Sequence, residues 1–244
     1  MLLLEIPNEL LFQIAENLDS ESLNCLLRTS RFSAKLLTPL LHKLAMQDKY
    51  DTPALLWAAE RGHRQLVALL LEKGADINIQ NRRDWITGTA LHKVAMHQDT
   101  SMVRLLLDKG ANIEAVDQHK KTPLHHAVIE GFEEMVRLLL GKGANVKVQD
   151  YRGSTPLQIA IAKGANPIIV LLLDSGAEME ARNEAGMTAL HQAVSYGSIS
   201  TVRLLLDRGA NMYARGNRGE TPMILAHRKH YKKVRELLSA YLGQ

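Results

Sequence analysis

Cysteine is nearly absent: Cys25 is the only one in 244 residues. No intramolecular disulfide can form, and the paired-cysteine zinc patterns are excluded. Such a chain suits a reducing compartment, the cytosol and/or the nucleus. No stretch approaches the roughly 20 apolar residues that a membrane-spanning helix needs. The opening Met1-Leu2-Leu3-Leu4-Glu5-Ile6-Pro7 has no basic leader, and Glu5 and Pro7 cut its apolar run short, which reads against a secretory signal. Charge of one sign is not in strong excess either. The formal net charge of +4 is mildly basic and does not by itself point to nucleic acid. Catalytic signatures are missing too: there is no HExxH, no Gly-x-Ser-x-Gly, no phosphate-binding glycine loop and no carboxylate pair at a spacing suited to acid–base work. Cys25 sits among leucines, as a buried structural thiol does. The expectation is a chain that is not an enzyme and needs no cofactor or metal.

What is present is a period. Thr89, Thr122, Thr155, Thr188 and Thr221 follow one another at 33 residues, as do Gly110, Gly143, Gly176 and Gly209. Leu91, Leu124, Leu157, Leu190 and Met223 form a third series in phase with both. Self-similarity at such a period marks a stack of supersecondary units. In the unit from Thr122 to Asp150, Thr122-Pro123 opens a helix, because proline at the first position gives up no hydrogen bond. Leu124, Ala127 and Val128 make its apolar face. Gly131 ends it, a second helix buries Met135, Val136, Leu138, Leu139 and Leu140, and Gly143 suits a left-handed terminal cap. One such pair cannot bury its own apolar faces, so stability must come from neighbours.

The string TPLHxA…LLLxxGAN resembles the ankyrin repeat over roughly residues 53–244. Further copies start at Thr89, Thr155, Thr188 and Thr221. The first copy has Pro53 at the threonine position, and its 36-residue step from Leu55 to Leu91 places three extra residues in its finger, around 81–88. The last copy, Asn217–Gln244, lacks the LLLxxGA ending and carries Arg228, Lys229, Lys232, Lys233 and Arg235, as a solvent-facing terminal unit would. The fold expected is all-α: five full repeats and a C-terminal capping repeat in residues 49–244, after a three-helix segment in residues 1–48.

That first segment places apolar residues at Leu10, Leu11, Ile14 and Leu18, then Leu23, Leu26 and Leu27, then Phe32, Leu36, Leu37, Leu40 and Leu41. Its Ile6-Pro7-x-Glu9-Leu10-Leu11 opening and later Leu26-Leu27-Arg28-Thr29-Ser30 run resemble an F-box of the fungal F-box/ankyrin kind. The resemblance implies docking on a Skp-type adaptor of a cullin ubiquitin ligase, with Pro7, Leu10, Ile14 and Leu27 facing the adaptor. The alternative is that these helices only cap the first repeat.

The ankyrin resemblance implies a monomer that binds a protein target in a concave groove, with no part for membrane or nucleic acid. Residues the repeat does not itself need are the candidates. On the fingers these are Arg82, Arg83, Asp84 and Trp85; His119, Lys120 and Lys121; Tyr151 and Arg152; Glu184 and Met187; and Asn217, Arg218 and Glu220. At the helix ends they are Glu60 and Arg61, Met96 and His97, Ile129 and Glu130, Ala162 and Lys163, Ser195 and Tyr196, and Arg228 and Lys229. Trp, Tyr, Met and Arg among them are types enriched at interfaces. The recurring His92, His125 and His191 are expected to bond within and between repeats, not to ligate a metal. Two functions fit: a substrate-receptor subunit of a cullin-type ligase, or a regulatory scaffold or transcriptional co-regulator whose amino-terminal helices are only a cap.

Overall fold

The computed structural model describes residues 54–72, 74–80 and 88–243. The three amino-terminal helices expected in residues 1–48, the boundary at 48–49, Pro53 and most of the long first finger lie outside the described residues. The chain divides after Asp117 into two compact units. Among the described residues all regular structure is helical.

The first unit holds two helix pairs: α1 (Ala54–Glu60) with α2 (Arg64–Glu72), and α3 (Ala90–Ala95) with α4 (Thr100–Asp108). α1 packs on both α2 and α3. Leu56, Leu70, Leu91, Met102 and Leu106 are buried between them. Polar ties join the pairs. Arg64 Nη2 donates to Asp99 Oδ1 at 2.9 Å, and that same carboxylate caps α4 by accepting from the Met102 N–H at 2.9 Å.

The second unit holds four pairs: α5 (Pro123–Glu130) with α6 (Glu133–Gly141), α7 (Pro156–Lys163) with α8 (Asn166–Asp174), α9 (Ala189–Ser195) with α10 (Ile199–Asp207), and α11 (Pro222–Arg228) with α12 (Lys232–Leu242). The first helices pack in succession, α5 on α7, α7 on α9 and α9 on α11. Equivalent leucines 33 apart, Leu124, Leu157 and Leu190, are buried in that row, and Leu139, Leu172 and Leu205 in the row behind.

Threonine starts every one of these first helices, and in three of them a side chain three residues on answers it. In α5, the Thr122 N–H and Oγ1 both meet Nδ1 of buried His125, at 3.1 and 2.9 Å. α3 uses Thr89 and His92, and α9 uses Thr188 and His191, in the same way. This is a capping box with imidazole in place of the usual carboxylate or amide. An accepting Nδ1 puts the ring proton on Nε2, which in His191 lies 3.0 Å from the Glu220 carbonyl of the next finger. α7 has Gln158 instead. Its Oε1 accepts from the Thr155 N–H at 3.1 Å, and its Nε2 donates to the Ala181 and Met187 carbonyls, both at 2.9 Å.

The first helices of four repeats end in left-handed glycines, Gly62, Gly131, Gly164 and Gly197; at the same position stand Gln98, with φ 56°, and in the last repeat His230, with φ 57°. A side chain there costs of the order of 1 kcal/mol. Tyr231 follows at once and packs its ring against Gly197.

Candidate functional site

Three fingers of the second unit share one construction. Asp150 Oδ1 accepts from the Arg152 and Ser154 N–H groups at 2.9 Å each, while the Asp150 N–H donates to the Ser154 carbonyl at 3.0 Å. Asn183 repeats this with Ala185 and Met187, at 3.0 Å each. Gly216 stands at that position in the last finger and offers only its backbone, donating to the Glu220 carbonyl at 2.9 Å. Neighbouring fingers are tied by backbone bonds: Tyr151 N–H to His119 carbonyl at 2.9 Å, Glu184 N–H to Arg152 carbonyl at 3.0 Å, and Asn217 N–H to Ala185 carbonyl at 3.2 Å. The fit is close enough at Gly186, φ 71°, that a side chain there would run into Asn217.

Between the Asp150 and Asn183 fingers and the exposed faces of α5, α7 and α9 lies a cavity of about 770 Å³. Ile129, Ile159 and Ala162 give it an apolar floor, and Tyr151, Arg152, Lys163, Glu184, Ala185 and Tyr196 form its rim. Tyr151 organises one side. Lys121 Nζ and Arg152 Cζ each lie 5.2 Å from its ring centroid, and the His119 ring lies 5.3 Å away. The Arg152 Nε donates to the Tyr151 hydroxyl at 2.5 Å. Lys121 also faces the buried Asp150 carboxylate at 3.6 Å, so a cation–π contact and an ion pair share one ammonium. Gln192, deeper in the wall, has a buried Oε1 with no hydrogen-bond partner.

The structure thus brings Ile129, Tyr151, Arg152, Lys163 and Tyr196 together around one hollow. Lys120 is exposed on its finger in a left-handed conformation, φ 54°. Glu130 and Arg218 are exposed but do not line the cavity. Met187 is half-buried and turns its sulfur toward Gly216. In the first unit Met96 is half-buried at the end of α3, and His97 is exposed with Nε2 3.7 Å from Glu60 Oε1. Arg82, Arg83, Trp85, Pro7, Leu10, Ile14 and Leu27 lie outside the described residues. One expected finger residue is corrected. Glu220 is buried, not offered to a partner, because Arg228 Nη1 bonds its Oε1 at 3.3 Å. Sequence reasoning passed over Gln158, Ile159 and Gln192. Gln158 did carry a signal, being the one non-histidine in the series from His92 to His191.

Three of the buried histidines are held toward the neutral form. Burial, more than any charge, lowers the His125 pKa to about 4, and burial likewise lowers those of His191 and His63. Among the described residues no three His, Cys, Asp or Glu side chains are grouped to hold a metal, and no helix is long and apolar enough to cross a membrane.

Comparison with known families agrees with the repeat geometry. Ankyrin repeats in three-copy form match residues 81–150, 142–215 and 157–244, and a single ankyrin repeat matches residues 50–82. The chain belongs to the ankyrin-repeat family, whose repeats are protein–protein interaction modules. It is 40% identical over 70 residues to Inversin of Danio rerio, covering 29% of this chain and 7% of that protein. It is 36% identical over 81 residues to a probable E3 ubiquitin-protein ligase, XBOS33, of Oryza sativa subsp. japonica, covering 33% and 15%. To Ankyrin repeat and SOCS box protein 6 of Mus musculus it is 36% identical over 93 residues, covering 36% and 22%. The chain therefore spans only a small part of each relative's length. The family matches begin at residue 50, downstream of residues 1–48.

Proposed function

We propose that the second unit captures a protein target in the cavity between its fingers and first helices, and that the chain serves as a substrate receptor for a cullin-type ubiquitin ligase. The observation that carries the capture reading is the convergence of Tyr151, Arg152, Lys163 and Tyr196 on one hollow with an apolar floor. Aromatic and guanidinium groups around an apolar centre are the chemistry of interface anchors. The ligase half of the reading rests on the F-box resemblance of residues 1–48. One relative bears a name from the same biology, a probable E3 ubiquitin-protein ligase.

Pull-down of a Skp-type adaptor and cullin by the full chain tests the ligase half. Micromolar adaptor binding that Leu10→Asp removes, with the repeats still folded, is the expected result. No adaptor binding at that concentration replaces the reading with that of a scaffold whose first helices serve as a cap. The capture half is tested by Arg152→Ala and Tyr196→Ala, each of which weakens target binding without unfolding the stack.

A further inference from the structure

Cations recur in a regular way on the fingers and first-helix ends of the second unit. Arg152 lies on a finger and Lys163 at the end of α7; 66 residues on, two repeats later, the same positions hold Arg218 and Lys229. All four are exposed, and among the described residues none has a carboxylate within 4 Å. The repeat between them is different. It places Tyr196 on the helix row and, beside Ala185, Glu184 on the finger row. Two sites of positive charge therefore flank a central site that is aromatic and mildly acidic.

Their separation follows from the stack. α7, α9 and α11 pack in succession, and packed helix axes stand about 8–10 Å apart, so two steps span about 16–20 Å. An extended chain advances about 3.3 Å per residue, so that span takes about five to six residues.

We propose that the segment captured by the fingers and first-helix ends of the second unit is an extended peptide with two acidic residues about five to six positions apart and an uncharged apolar residue between them. This rests on the capture reading above and specifies its partner. One acid meets Arg152 and Lys163, the other meets Arg218 and Lys229, and the apolar residue lies against Tyr196. Glu184 selects against a negative charge at the centre, and Tyr196 and Ala185 beside it give an apolar side chain its contact. Glu184 also disfavours a nucleic-acid strand, which carries a phosphate at every residue and would set one beside that carboxylate.

The test is fluorescence anisotropy of the full chain with a labelled proline-rich peptide bearing glutamates about six residues apart and a phenylalanine midway. Arg152→Glu and Arg218→Glu should each weaken binding by about tenfold or more, and added salt should weaken it further. Peptides with lysines for the glutamates, or with glutamates only about three residues apart, should bind about tenfold less well than the parent. Circular dichroism checks each variant; if either arginine variant is unfolded, Lys163→Glu and Lys229→Glu carry the same test. The proposal is overturned if the parent peptide does not bind. Indifference to spacing, to peptide charge or to the charge reversals overturns it too, as does tighter binding of an oligouridylate of equal length. The two readings fail separately. A protein that protects the fingers from hydrogen exchange equally in wild-type and charge-reversed chains overturns the acidic segment and leaves capture standing.

Discussion

Helices α5 and α7 occupy the same place in successive repeats, yet one is closed by an imidazole and the other by an amide. His125 and Gln158 both accept from the backbone N–H of their capping threonine, at the same 3.1 Å, and both are buried. Beyond that they part. Gln158 reaches two carbonyls of the next finger, whereas the Nε2 of His125 has no bond of good geometry. Only the histidine can be protonated. The comparison separates two properties that the repeat pattern fuses: the cap, which either side chain provides, and sensitivity to acid, which only imidazole brings.

The largest effects should be blind to this difference. Leu139→Ala and Leu172→Ala remove equivalent buried side chains behind α5 and α7, and each should cost about 2–5 kcal/mol in urea unfolding. A gap between them as large as that cost would mean that the two repeats are not equivalent units. Next, Gln158→Leu strands the Thr155 N–H and two finger carbonyls and should cost about 2–4 kcal/mol, whereas His125→Leu should cost about half as much. Equal losses would show that the finger bonds of Gln158 contribute nothing.

Acid should then tell the helices apart. The folded-state pKa of His125 lies at about 4, below the 6.5 of a free imidazole. Between those values the unfolded chain binds the proton and the folded one does not. Stability is therefore greatest above about pH 6.5, falls as pH drops toward 4, and levels off below it. The full effect is roughly 3 kcal/mol for a shift of this size. His125→Gln, with Gln158 as its natural precedent, should flatten that part of the profile, leaving the shares of His191 and His63, whose pKa values are also lowered. An unchanged slope in unfolding curves from pH 7 to pH 4 would remove His125 as the cause. The smallest expected effect on stability is at the rim. Arg152→Ala should shift the unfolding free energy by no more than about 0.5 kcal/mol, as exposed substitutions do, and a loss on the scale of Leu139→Ala would make Arg152 structural.

Much of this was legible because a repeat compares itself with its neighbours. The period of 33, the threonine caps, the glycine ends and the leucine rows follow from local rules applied several times over, so a chance match in one copy is corrected by the others. The helix pairs from Ala54 onward stand where the sequence put them. Residue-level surface chemistry was less legible. Glu220 and Met187 are finger residues by position, yet the stack turns one into a buried partner of Arg228 and tucks the other against Gly216. Gln192, an ordinary polar residue in sequence, is set into the cavity wall. Sequence alone determined the repeat and its core, because burial at fixed spacing is a one-dimensional property of the chain. Only the tertiary structure decided which exposed groups meet. Tyr151 is 45 residues from Tyr196 in the chain, and it is the sideways stacking of helices and the bonding of one finger to the next that bring both to the rim of the same cavity.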